Sequence, residues 1–187
     1  MTSDAQKYPL GRHIAVIGKG GKTTLSKALA ERYDLKFIVQ DEIRHQANWV
    51  ELSNEEHIVM LEGRFADAEN GWVWDGNYSS IGDVVSKRVD TVIALAFPWR
   101  VMLWRTFWRT VKRRVTGEVL WNGNRESFRN AFLSRSSVVY DLWIRRDRFK
   151  AIAEMAIAQK PEGVELVIIR STRELRDFYA EHGLVRR

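Results

Sequence analysis

Short apolar runs alternate with longer amphipathic stretches along the whole chain, and that alternation predicts strands joined by helices. The first run, about Arg12 to Ile17, ends in Gly18-Lys19-Gly20-Gly21, and Lys22 to Tyr33 then carries helical spacing. Leu35-Lys36-Phe37-Ile38-Val39 reads as a second strand, closing at Gln40-Asp41-Glu42. Ser53-Asn54-Glu55-Glu56 is a capping box that opens a helix reaching about Asn70, with Gly71 as its stop. Trp72-Val73-Trp74 is a short third strand ending at Asp75-Gly76-Asn77-Tyr78, and a short helix is expected from Ser80 to Lys87. Thr91 to Phe97 is a continuous run of the kind found in strands buried on both faces.

Pro98 opens the next helix, where proline is well tolerated. Val101, Trp104, Trp108, Val111 and Val115 form one apolar stripe along it, expected to pack into the core. Arg105, Arg109, Lys112 and Arg113 lie on the adjoining arc, and Gly117 ends the helix. Beyond a turn-rich connection, Glu118 to Asn124, two helical stretches are expected at about Arg125–Leu133 and Ser137–Lys160. Pro161-Glu162-Gly163 breaks the chain before a last strand, Val164 to Ile169. Ser171-Thr172-Arg173-Glu174 is a second capping box that starts a C-terminal helix. Five strands alternating with helices predict an α/β three-layer sandwich, an open five-stranded parallel sheet covered on both faces. Ligands of such sheets bind at the carboxyl ends of the strands, which here carry Gly18–Thr23, Asp41 and Asp75.

Length and charge sharpen this picture. A chain of 187 residues fits one domain, with the stretch about 99–150 as a helical lid. The net charge is +6, but Pro98 to Lys150 holds 13 Lys+Arg against 4 Asp+Glu, a local +9. A basic segment beside a glycine-rich loop suggests a lid over a polyanionic substrate or a nucleic-acid surface. The absence of cysteine excludes disulfides and thiolate metal sites, and the four scattered histidines have no ligand spacing. The polar N-terminus and the shortness of every apolar run favour no membrane association and a cytoplasmic location. His45 and His57 read as surface or helix residues.

The strand, glycine turn and helix at the start form the arrangement of a phosphate-binding loop. Glycines let backbone amides turn around an anion, and the helix N-terminus adds its own free amides and dipole. Gly18, Lys19, Gly20, Gly21, Lys22, Thr23 and Thr24 are the candidate ATP-binding residues. Lys22 would neutralise a transferred phosphoryl group, and Thr23 would ligate Mg²⁺. The usual spacing places four residues between the first glycine and Gly-Lys-Thr, and here Gly18 leaves only Lys19 and Gly20. Fewer inward amides imply weaker nucleotide binding. Asp75 is a candidate for holding Mg²⁺ or accepting from a substrate hydroxyl; an Asp-Gly turn is the plainer reading. Asp41 can orient or deprotonate an acceptor hydroxyl, or serve as a helix N-cap. Arg105, Arg109, Arg113 and Arg114 form a row suited to clamping phosphates, because guanidinium binds two oxygens at once.

These motifs occur together in a known order. Ile-Gly, then Gly-Lys-Thr-Thr-Leu, Asp41, Trp72-Val73-Trp74-Asp75-Gly76-Asn77-Tyr78, Arg88-Val89-Asp90-Thr91-Val92-Ile93 and Leu120-Trp121-Asn122-Gly123-Asn124-Arg125-Glu126-Ser127 span about Ile14 to Tyr179. In this the chain resembles the adenylate-kinase-like P-loop proteins often labelled "topology modulation protein", within the nucleoside monophosphate kinase-like group. The resemblance implies a P-loop kinase fold, ATP and Mg²⁺ as ligands, and a mobile arginine-bearing lid. It implies that Asp75 lies near metal and acceptor, and that Arg109, Arg113 and Arg125 are lid arginines. The short loop departs from that family's pattern. The activity expected is transfer of a phosphoryl group from a nucleoside triphosphate to a small acceptor, with Lys22, Asp41, Asp75, Arg109 and Arg113 as catalytic candidates. The alternative is a nucleic-acid-binding protein whose nucleotide site is regulatory or vestigial.

Overall fold

In a computed structural model of the protein, the structure describes residues 7–77, 82–117, 121–123, 144, 147 and 151–185. Five strands form one sheet: β1 His13–Gly18, β2 Lys36–Val39, β3 Trp72–Asp75, β4 Thr91–Leu95 and β5 Glu165–Ile169. Their order across the sheet is β2-β3-β1-β4-β5, and every pairing is parallel. Described helices are α1 Lys22–Tyr33, α2 Gln40–Arg44, α3 Asn54–Ala66, α4 Gly82–Ser86, α5 Trp99–Thr116, α6 Ile152–Ala158 and α7 Thr172–Glu181. The expected helix Arg125–Leu133, with Arg125 and Tyr78, lies outside the described residues; of the expected helix Ser137–Lys160, the described part beyond 150 contains α6, Ile152–Ala158.

Period-2 alternation along the buried strands splits the core into two layers. Ile14 and Val16 of β1 join Ile93, Leu95, Val167 and Ile169 in a cluster sealed by Leu25 and Leu29 of α1 and by Leu175 and Phe178 of α7. Ala15 and Ile17 face the other way, with Trp72, Trp74, Val92 and Ala94, under Leu61 and Phe65 of α3, Val85 of α4 and Ala156 of α6. Helices therefore cover both faces of an all-parallel α/β sheet. A strand in such a sheet has no solvent side, which is why β1, β3 and β4 read as unbroken apolar runs.

Both expected cap serines cap their helices, the first with a full capping box and the second with half of one. Ser53 accepts from the Glu56 amide while the Glu56 carboxylate takes the Ser53 amide, so α3 begins as expected. Ser171 accepts from the Glu174 amide, and the Glu174 carboxylate takes the Arg170 amide and the Ser171 hydroxyl instead. α3 ends at Ala66, earlier than the expected Asn70. Gly71 has φ +99, and a Cβ there would run into the Arg12 backbone, so glycine is required where the chain turns into β3.

Helix α5 is rotated from the expected orientation. Its buried residues are Met102, Thr106 and Thr110, spaced i, i+4, i+8. Trp104 is 62% exposed, Trp108 50% and Val115 81%, so the Trp stripe does not pack into the core. The rotation is set at the helix start. The Pro98 carbonyl accepts from the Val101 and Met102 amides, and Phe97 and Met102 enter the core side by side.

The candidate phosphate site at the centre of the sheet

The strand order puts β1 in the middle, with β3 on one side and β4 on the other. The chain leaves β1 toward β2 and leaves β4 toward β5, in opposite directions across the sheet. A crevice at the carboxyl ends of the strands results from this reversal, and it is where open α/β sheets take ligands. Only Lys19, Gly20 and Gly21 separate β1 from α1. Gly18, Gly20 and Gly21 have φ of +103, +86 and +139, which L side chains rarely adopt. The tight turn between strand and helix therefore depends on its glycines.

The start of α1 has neither a side-chain cap, its cap residue being Gly21, nor an acidic residue in its first turn. Its leading amides have no intrahelical acceptor, and the helix dipole favours negative charge there. Thr23 is exposed at this end, with Lys22 and Thr24 half-buried.

Across from the loop, Asp75 closes β3, opposite Val16 of β1 and Val39 of β2. Its side chain is 4% exposed, and Lys22 Nζ lies 3.1 Å from Oδ1. The approach is that of an ion pair, since Oδ1 accepts no hydrogen bond of good geometry. A buried carboxylate needs such compensation. Here it comes from the lysine that sequence alone marks as the phosphate ligand.

Two further side chains tie the strand ends together. Asn77 Oδ1 accepts from the Gly18 amide at 3.2 Å, and the Asn77 amide donates to Gln40 Oε1 at 2.8 Å. Gln40 is buried at the first position of α2, so the second strand's contribution to this crevice is Gln40. Asp41, one position on, is exposed in the first turn of α2. One helical residue turns the side chain by about 100°, enough to face it away.

The contact of α5 with the loop comes from Arg105. One guanidinium nitrogen donates to the Gly20 carbonyl at 2.5 Å, and the other donates to Thr172 Oγ1 at 3.3 Å. The guanidinium also lies 4.4 Å from the Phe97 ring centroid. Arg105 thus links the loop to α5 and to the start of α7. Arg109 is exposed and Arg113 half-buried further along the same helix. The sequence placed Arg105 in the basic row; the signal that it meets the loop lay in its distance from Pro98, where the helix begins. Asn77 and Gln40 carried no comparable signal.

A second polar cluster surrounds α2. Arg44 binds Glu51 and Asn54, and Asn122 donates to the Glu42 and His45 carbonyls. His57 is fully buried beneath them: of the two positions expected for it, surface or helix, it takes the helical one, inside α3. Neither of its ring nitrogens has a hydrogen-bond partner, and burial first, then the Arg44 charge, holds its pKa below the ordinary imidazole value. Among the described residues no three His, Cys, Asp or Glu side chains form a metal-binding group, and no helix is long and apolar enough to cross a membrane.

Fold and site together define the class: an α/β protein with an all-parallel sheet and a glycine-rich strand–turn–helix at its centre. No protein-family model matches the chain, and a search of curated proteins gives no match.

Proposed function

We propose that the protein is an ATP- and Mg²⁺-dependent phosphotransferase acting on a small acceptor, a nucleotide or nucleoside, with a P-loop kinase fold. The observation that carries this reading is the Lys22–Asp75 pair, 3.1 Å apart at the mouth of the glycine-rich turn. A lysine at a helix N-terminus sits against the positive end of the dipole; here the Asp75 carboxylate balances it, and a phosphate would take over that role. The strand order β2-β3-β1-β4-β5 supports the reading, because it sets the turn at the reversal of the sheet.

The side chains present fit these ligands. Uncapped α1 amides and Lys22 are donors for phosphate oxygens. Thr23 and Asp75 are the oxygen donors that would hold Mg²⁺, a hard cation that keeps several waters and needs few protein ligands. Mg²⁺ would supply charge neutralisation between the β- and γ-phosphates. Lys22 would leave Asp75 for the phosphates, and Asp75 would turn its freed oxygen toward the metal or the acceptor hydroxyl. Arg105 would hold the Gly20 carbonyl outward, so that the loop's amides face the ligand. Asn77 already occupies the Gly18 amide, so the anion would rely on the later amides and on Lys22. Arg109 and Arg113 would add cations from α5, and catalysis would consist of positioning and charge neutralisation.

ATP turnover against a panel of nucleosides and nucleoside monophosphates tests the proposal, with Lys22→Ala as the comparison. Loss of turnover in the variant is expected; turnover unchanged by Lys22→Ala overturns it.

A further inference from the structure

Helix α5 carries six Lys+Arg and no Asp or Glu over its 18 residues. With Met102, Thr106 and Thr110 turned inward, Arg100, Trp104, Trp108 and Lys112 all fall on the exposed side. They are four residues apart, one above another along one row, so the row reads cation, indole, indole, cation. At 1.5 Å per residue it runs roughly 18 Å. The two indoles meet edge to face at 5.5 Å between centroids, and Phe107 adds a third ring at 5.8 Å from Trp108. A concavity of about 350 Å³ opens beside them, lined by Arg100, Leu103, Trp104 and Phe107. Two half-exposed tryptophans side by side, in a chain that buries Trp72 and Trp74 completely, are a large apolar surface to leave in water.

We propose that this face of α5 binds single-stranded nucleic acid, with bases stacked on Trp104 and Trp108 and phosphates on Arg100 and Lys112. Charge complementarity selects this occupant. Arg100 and Lys112 stand exposed on a helix without a single carboxylate, and such a face attracts a polyanion and repels a second copy of itself. Aromatic rings supply stacking platforms for unpaired bases of any identity, and flanking cations track the backbone. The placement of the charges also separates this surface from a membrane-lying helix. There, cations occupy the face opposite the apolar one, whereas here Arg100 and Lys112 share one row with Trp104 and Trp108. The surface is independent of the phosphate-site reading, since none of its four row residues touches the glycine turn.

The test is fluorescence anisotropy of a labelled 12-nucleotide thymidine oligomer, titrated with the full chain at low salt and then across a salt series. Binding that weakens steeply with salt is expected. Trp104→Ala and Trp108→Ala, both at exposed positions, are each expected to weaken binding by about 5- to 100-fold. Lys112→Gln is expected to reduce the salt slope by about 0.7. Lys22→Ala, checked to be folded by its thermal melt at the assay temperature, is expected to bind the oligomer like the natural chain; loss of binding in the folded variant would place the oligomer in the glycine turn and overturn the proposal. So would absence of binding at low salt, or affinity untouched by both tryptophan substitutions. Sedimentation with vesicles of anionic phospholipid is the remaining arm: binding there, abolished by Trp104→Ala, without oligomer binding, would assign the face to a membrane instead.

Discussion

The Lys22–Asp75 pair can be weighed by a double-mutant cycle. Lys22→Met keeps the aliphatic stem and removes the charge; Asp75→Asn keeps the shape and removes the other charge. Breaking a fully buried pair from one side costs about 3–5 kcal/mol. Asp75 is 4% exposed and Lys22 16%, so water reaches the lysine end alone. Lys22→Met strands the carboxylate, whose Oδ1 has no hydrogen bond to fall back on, and is expected to cost about 3 kcal/mol. Asp75→Asn strands an ammonium that can tilt toward solvent, and is expected to cost about 1 kcal/mol. The double variant leaves no charge behind and is expected to recover about 2 kcal/mol of the combined loss as coupling. The assay is equilibrium urea unfolding followed by tryptophan fluorescence, with urea chosen because guanidinium salt would screen the pair. With a slope of about 2 kcal/mol per molar, Lys22→Met moves the midpoint down by about 1.5 M. Additive losses, with coupling below about 0.5 kcal/mol, would refute the reasoning, because independent sites add to within that margin.

Acid should weaken the fold through its buried histidines. Burial is the leading cause of the lowered pKa of both His57 and His182. The folded chain therefore holds neutral rings where the unfolded chain takes up protons, so stability is full above the ordinary value of 6.5 and falls as pH drops toward the lowered folded values. Thermal melting from pH 8 to 5 checks this, and His57→Leu, which leaves no polar partner unpaired, should flatten the slope at little cost at pH 8. Gly18→Ala should destabilise by about 1–3 kcal/mol from its φ of +103 alone, and more from the collision of a Cβ with the Leu95 carbonyl oxygen, read by urea unfolding. Arg105→Lys cannot span Gly20 and Thr172 with one ammonium, and losing a charged hydrogen bond worth about 1.5–3 kcal/mol should raise the KM for ATP by at least ~10-fold under the proposed function.

The sheet was legible because its strands have no polar face. β1, β3 and β4 each lie within two residues of their expected ends, and the capping serines fixed α3 and α7 directly. Helix α5 was misjudged because apolar spacing favours tryptophan over threonine for the inside. Thr106 and Thr110 are small and carry a methyl, so they let a helix lie close to the domain where an indole would hold it off. The α5 orientation is decided by the Pro98 start and the Arg105 contact, both of which depend on the folded position of the glycine turn. In the site, Lys22 and Asp75 were named from strand ends, and they do converge. Gln40 escaped notice because its neighbour Asp41 carries the charge, although the helix that begins at Gln40 turns Asp41 outward. The tie through Asn77 joins residues 37 and 59 positions apart, a separation that no local pattern reports.

The short glycine turn gains a physical explanation from those ties. A longer loop would wrap an anion with many amides and would hold its own shape. Here three residues make the turn, and it is held from outside, by Asn77 at the Gly18 amide just before it and by Arg105 at the Gly20 carbonyl in its middle. Two bonds from neighbouring elements thus set a geometry that extra loop residues would otherwise define. Their consequence is directional. The Gly20 carbonyl, which would repel a phosphate, is held on a guanidinium, and the uncapped start of α1 is left facing the crevice. Under the proposed function, cations whose positions depend on β3 and α5 would stand in for the amide donors that a longer loop supplies. An anion in this crevice would accordingly bind the whole upper edge of the sheet, and its affinity would track how well α5 is seated.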